Sequence, residues 1–171
     1  MKKQLLALMI LPMIGACGFE PMYGTSSKSE LGASTSLRAE LAEVKISNIP
    51  NREGQYLRNA LIDRFYVGGR PANPKYILDV NPVQETTYDL DITIRSDATR
   101  KQLNLNTAMS LKDAETGEVL VSRSVKSSGS YNVLESEFAT RVSEQSTREN
   151  ALDHLAQQIE LHIGLYLNRA E

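Results

Sequence analysis

From Gln102 to Leu111 the side chains alternate. Leu103, Leu105, Thr107, Met109 and Leu111 fall on one side of an extended chain, and Gln102, Asn104, Asn106 and Ser110 on the other. A period of two belongs to a strand with one buried and one wet face. The chain must therefore build a sheet whose apolar side is covered by something else, which excludes a helical bundle and a parallel sheet buried on both faces. Neighbouring stretches supply the rest of the sheet. Tyr76, Leu78 and Val80 alternate with polar residues, and after Pro82 the alternation resumes at Tyr88, Leu90, Ile92 and Ile94, as one long strand with a bulge or break near the proline. Ser96 to Thr99 reads as a turn. Asp113 to Glu118, with Thr116-Gly117, forms a second hairpin loop into Val119, Val121 and Val125. Val44, Ile46 and Ile49 make a first strand that Pro50 ends.

The cover comes from two helical patterns. Asn51 stands where an N-cap belongs, ahead of Leu57, Ala60, Leu61 and Phe65, and Gly68-Gly69 closes that helix. A second begins near Ser146 or Thr147, after a loop holding Gly129, Tyr131 and Phe138, and carries Leu152, Leu155, Ala156, Ile159, Ile163 and Tyr166 along one side. The expected fold is α+β: a two-layer sandwich, with a four-stranded, mainly antiparallel sheet and both helices packed on one face. That face is expected to gather Leu90, Ile92, Ile94, Leu103, Leu105, Met109 and Leu111.

The first sixteen residues read as a lipoprotein signal peptide. Lys2 and Lys3 precede a ten-residue apolar stretch from Leu5 to Ile14, interrupted only by Pro12, and then come Gly15, Ala16 and Cys17. About 20 apolar residues are needed to span a bilayer, so the stretch is a leader and not an anchor. Ile14-Gly15-Ala16-Cys17 is similar to a bacterial lipobox, which makes Cys17 the expected lipid attachment site. As the chain's single cysteine, Cys17 has no partner for an internal disulfide or a multi-cysteine metal site. Gly18, not aspartate, follows it; by resemblance to lipoprotein sorting this implies the outer membrane. Residues 17–36 are then the lipidated N-terminus and a tether, since Thr25 to Ser36 is dominated by Ser, Thr and Gly, and residues 37–171 are a single α+β domain. Cleavage removes two lysines and no acid, which leaves a formal charge of −4 on the mature chain. No global basic field recommends a nucleic-acid partner.

Chemistry-bearing motifs are scarce. His154 and His162, eight residues apart on one helix, stand about 12 Å apart along its axis, too far to share a metal. Asp89 and Asp91, with Glu85, share a strand face if the register holds, but a charged solvent face accounts for them. No phosphate-binding loop, nucleophile elbow or dinucleotide fingerprint occurs, and neither a metal nor an organic cofactor is expected. One local basic cluster, Arg95, Arg100 and Lys101, sits at the hairpin near residue 97; it fits an anionic lipid or a tip decorated for solubility. Arg123 falls among the apolar-facing positions of Val119, Val121 and Val125, so either a bulge shifts the register or its guanidinium snorkels past the core's rim.

The string Cys17-Gly18-Phe19-Glu20-Pro21-Met22-Tyr23-Gly24 resembles the mature N-terminus of the lipopolysaccharide-assembly lipoprotein family, LptE. The order of later features, a long hairpin, the Asp113 to Gly117 loop, the Tyr131-Asn132 loop and a closing helix from Ser146 to Asn168, is similar too. The resemblance implies a non-catalytic, lipid-anchored protein on the periplasmic side of the outer membrane. It implies a plug and folding partner for the lipopolysaccharide (LPS)-assembly barrel, LptD, in contact with LPS on its way to the cell surface. Arg95, Arg100 and Lys101 are the LPS-contacting candidates by charge alone. Two other classes make different demands: a carrier of another lipid or anionic ligand needs an enclosed apolar cavity, and an envelope hydrolase needs a catalytic constellation.

Overall fold

The computed structural model describes residues 37–66, 68–92 and 98–170. A helical turn at 37–41 leads into strand β1 (Val44–Ile46), helix α1 (Arg52–Phe65), strands β2 (Tyr76–Val80), β3 (Gln84–Ile92), β4 (Ala98–Asp113) and β5 (Val119–Asn132), and helix α2 (Glu137–Ala170). Strand β4 is the spine of the sheet. Along one edge β5 runs antiparallel to it, from Arg100 opposite Asn132 to Lys112 opposite Val119. Along the other edge lie both β2, pairing Tyr76 to Val80 with Asp113 to Met109, and β3, pairing Gln84 to Ile92 with Asn106 to Ala98. The stretch around Pro82 is therefore a complete break in what is geometrically one long strand, so five strands occupy four strand positions. β1 adds to β2 in parallel, Lys45 beside Ile77, with α1 as the crossover between them.

Both helices serve one face. Leu57, Leu61 and Phe65 of α1 and Leu152, Leu155, Ala156, Ile159, Ile163 and Leu167 of α2 are buried against Leu78, Val80, Leu103, Leu105, Met109 and Leu111 of the sheet. Thr107, the one polar member of that row, donates its hydroxyl proton to the Asn81 carbonyl at 2.7 Å, which removes the cost of burying it. Asn51 does take the N-cap position, yet it does so at φ 73°, without a side-chain cap.

The expected register fails in β3. Glu85 pairs with Leu105 and Thr87 with Leu103, and directly paired residues point to the same face. The row facing the helices is thus Glu85, Thr87 and Asp89, while Tyr88, opposite Gln102, faces the other way. Leu90 is 46% exposed and no part of the core, because irregularities between Asp89 and Asp91 and between Asp91 and Ile92 re-aim the end of the strand. The side chains of Ile92 and Ile94 lie outside the described residues.

Two boundaries also differ from expectation. Strand β5 continues to Asn132, so Gly129 and Tyr131 are ladder residues and not loop. Helix α2 starts at Glu137, nine residues before Ser146, and includes Phe138. Gly129 is what lets the early part of α2 lie close to β5: a Cβ there would stand 2.5 Å from Thr147 Cγ2.

Candidate functional site

Each basic residue of the expected cluster can be placed from the ladder. Arg95 lies outside the described residues. Arg100 and Lys101 are successive positions on β4, so they point to opposite faces. Lys101 faces the helix side and pairs with Asp89 at 3.4 Å; Arg100 faces the uncovered side and donates to Ser130 Oγ at 3.0 Å. Of the carboxylates, Glu85 and Asp89 share the helix side, and the side chain of Asp91 lies outside the described residues. Cys17 lies outside the described residues.

On the helix side, charge is used as fastening. Arg148 of α2 grips Glu85 of β3 with two parallel bonds, Nε to Oε2 at 2.7 Å and Nη2 to Oε1 at 2.8 Å, and reaches Glu144 at 2.6 Å. Only 17% of its side chain is exposed, and hydrogen bonding to Glu85 raises the guanidinium pKa further above its ordinary value. Sequence reading missed this residue; the acidic row it grips shows only once the register of β3 is known. Tyr131, buried nearby, has its phenol pKa raised by burial.

The other face, which no element among the described residues covers, is a grid. Adjacent rows read Gln84, Asn106, Lys126; then Thr86, Asn104, Ser128; then Tyr88, Gln102, Ser130, across β3, β4 and β5; then Arg100 and Asn132 on β4 and β5. Toward the other end come Asn106's neighbour Ser124, whose hydroxyl donates to Asn106 Oδ1 at 3.1 Å, then Ser110 with Ser122 and Asp79, and a row of Lys45, Ile77, Lys112 and Val119. Lys112 pairs with Asp79 at 2.7 Å; with a second hydrogen bond from Ser47, it holds that carboxyl below the usual range.

Two open clefts lie among the described residues. One, about 280 Å³, lies between the helices beside Tyr56, Asn59, Gln145 and Arg148. The other, about 290 Å³, lies at the β5 edge of α2 between Val121, Arg123, His162, Leu165 and Tyr166. Arg123 keeps register opposite Met109 with no bulge at its position, and its exposed guanidinium donates to the Ser122 carbonyl, so it snorkels. His154 is exposed and His162 half-buried in the second cleft. Among the described residues no cluster of three metal-ligating side chains forms, and no helix is long and apolar enough to cross a membrane.

A family model for lipopolysaccharide assembly, LptE, matches residues 41–163. A comparison with curated proteins finds no match. Among solved structures, a chain from Caulobacter crescentus described as a lipoprotein is similar with a TM-score of 0.61 and 19% identity, covering 78% of this chain and 97% of its own. A minor lipoprotein from Acinetobacter baumannii gives 0.55 and 20%, covering 75% and 93%. Rare lipoprotein B from Shewanella oneidensis gives 0.57 and 8%, covering 75% and 97%. At these identities the neighbours show a shared fold.

Proposed function

Because the chain belongs to the LptE lipopolysaccharide-assembly family, we propose that it is a lipid-anchored partner of the outer-membrane LPS-assembly barrel, LptD, seated as a plug in its lumen on the periplasmic side. It acts there without catalysis. The observation that carries this reading is the span of the family match, 41–163, which runs from Leu41, the first buried residue among those described, nearly to the end of the core in α2. A sheet face built of amides and hydroxyls supports it, since the interior of a large barrel is polar and wet. Cys17 is the proposed acylated residue: with more than one acyl chain it fixes the protein to the membrane, whereas a single chain holds only marginally. The hairpin tip with Arg95, Arg100 and Lys101 is the proposed contact for LPS phosphate. Replacing all three by Ser should weaken LPS binding more at low than at moderate salt.

The test is affinity isolation of the chain from outer membranes, with identification of what accompanies it. A co-purifying LPS-assembly barrel supports the reading, and its absence from a stable, membrane-derived preparation overturns it. Intact-mass measurement of the mature chain checks the anchor independently: an unmodified Cys17 would remove it.

A further inference from the structure

The two halves of α2 meet solvent differently. The first is laced with ion pairs, Arg141 with Glu137 and Arg148 with Glu144. Along the second, the exposed residues are His154, Gln157, Leu161, Leu165 and Asn168, none of them an acid, a lysine or an arginine. Leu161 is 59% and Leu165 48% exposed. At about 100° per residue, Gly164, Leu161, Leu165 and His162 follow one another around the helix in steps of about 60°, 40° and 60°. This arc joins two features. At one end Leu37, the first described residue, lies against Gly164, where a Cβ would stand 3.5 Å from both Leu37 methyl carbons. At the other end is the cleft of about 290 Å³ beside β5, where the exposed Arg123 donates to the Ser122 carbonyl and makes no ion pair among the described residues.

We propose that this arc seats the chain's own N-terminal string, Phe19-Glu20-Pro21-Met22-Tyr23, as a strap that crosses Leu161 and Leu165 to the cleft and sets Glu20 beside Arg123. Reach, composition and area each favour that occupant. An arc of about 160° on a helix about 10 to 12 Å across is roughly 15 Å of surface. The 13 residues from Gly24 to Ser36, which join the string to Leu37, are of a composition that spans about 20 Å. A connection matched to its span gives an effective concentration of about 1 mM or more, so weak contacts suffice. Four of the five residues are apolar, next to a stretch dominated by Ser, Thr and Gly, and Glu20 is the one charge from Cys17 to Ser27, opposite in sign to Arg123. Two leucines and a small cleft fall far short of the roughly 1,200 Å² that a stable interface with a free partner buries, which leaves a tethered segment as the fitting occupant. The strap brings Cys17, two residues before Phe19, to the end of the domain where β5 begins. With the proposed lipid on Cys17, that end faces the bilayer and the β3–β4 hairpin, at the far end of β4, points away from it.

The chain has no tryptophan, so Tyr23→Trp provides a single fluorescent reporter. The test uses the whole chain from residue 17 to 171 with Cys17→Ser, free of lipid and detergent. Its emission should be shifted to the blue, and shielded from acrylamide, relative to a peptide of residues 17–24 with the same Trp. L161E/L165E, which changes two exposed side chains, should return the emission to that of the peptide. Glu20→Arg should lose part of the shift, and adding Arg123→Glu should restore it. Emission equal to the peptide's in the parent chain, or a shift that neither L161E/L165E nor the charge reversal moves, overturns the inference. So does a shift that vanishes on dilution, which assigns the arc to a second copy of the chain, or one that needs vesicles of phosphatidylethanolamine and phosphatidylglycerol, which assigns the string to the bilayer. Neither barrel nor LPS enters the measurement, so its failure leaves the LPS-assembly reading standing.

Discussion

Leu105 and Asn104 are adjacent in sequence and opposite in fate: one is 1% exposed among the helices, the other belongs to the uncovered grid. Leu105→Ala should cost about 2 to 5 kcal/mol, and Asn104→Ala should stay within about 0.5 kcal/mol, read from denaturant midpoints. Equal shifts would mean that the register of β4 is wrong. Gly129 allows a sharper check. Gly129→Ala drives a methyl into Thr147 and should cost about 1 to 3 kcal/mol, and the double variant G129A/T147A should recover most of the loss. If the two substitutions simply add, the close approach of α2 to β5 is not the reason for the glycine. A tyrosine does a comparable job at the sheet's other edge. The Tyr66 hydroxyl accepts from the Ile46 N–H at 3.2 Å and donates to the Val44 carbonyl at 2.7 Å, so the short β1 leaves fewer backbone groups unsatisfied than an edge strand ordinarily would.

Among the elements, those with a strong period were legible in the sequence. The alternation in β4 and the three- and four-residue spacing in α1 made both legible, because burial selects the same residues that the pattern displays, although β4 already begins at Ala98, so Ala98 and Thr99 are strand and not turn. The hairpin loop was legible too: Asp113 Oδ1 accepts from the backbone N–H of Glu115 and Thr116 and from the Thr116 hydroxyl, and Gly117 takes φ 74°. What escaped was structure held by neighbours and not by its own pattern. From 137 to 150 helix α2 has no fully buried residue, and its apolar members Phe138 and Val142 are 79% and 53% exposed, so no periodic signal marks the start. The end of β5 is rich in Ser and Gly, and the β4 ladder imposes its conformation. The apolar row of β3 faced the unexpected way because two irregularities and the Pro82 break, invisible in a pattern of alternation, set its register. Of the candidate cluster at the tip, Arg100 and Lys101 point to opposite faces, because consecutive strand residues diverge. The early part of α2 accordingly depends on Arg148. Replacing Arg148 by Met should cost about 1 to 3 kcal/mol, less than for a fully buried pair, and should speed amide exchange in residues 137–147 well before the rest of the helix. Uniform acceleration along α2 would show that the clamp is not local.

For the molecule as a whole, acid is the informative stress. Asp79 is lowered by its hydrogen bond from Lys112 and then by Ser47, and Asp113 by the Thr116 N–H. A carboxyl whose folded pKa lies below its unfolded value contributes stability that is present above the ordinary carboxylate range and is lost as pH falls through the folded pKa. The difference in stability between wild type and Asp79→Asn should therefore be present at neutral pH and shrink below about pH 4. A difference unchanged at pH 2.5 would deny the Asp79 contribution.

The long closing helix also sets a timetable. When a chain emerges N-terminus first, β4's apolar row is complete at Leu111, but the residues of α2 that cover it begin at Ala151, 40 positions later. The sheet's spine and its partners β2, β3 and β5 are sequence neighbours and assemble by local closures, whereas the seal between α2 and the α1–β1 end joins the first and last parts of the domain. Through that interval the molecule is a sheet with an unshielded greasy side, a state prone to stick to other chains and a natural substrate for holding chaperones until the last twenty or so residues of α2 arrive.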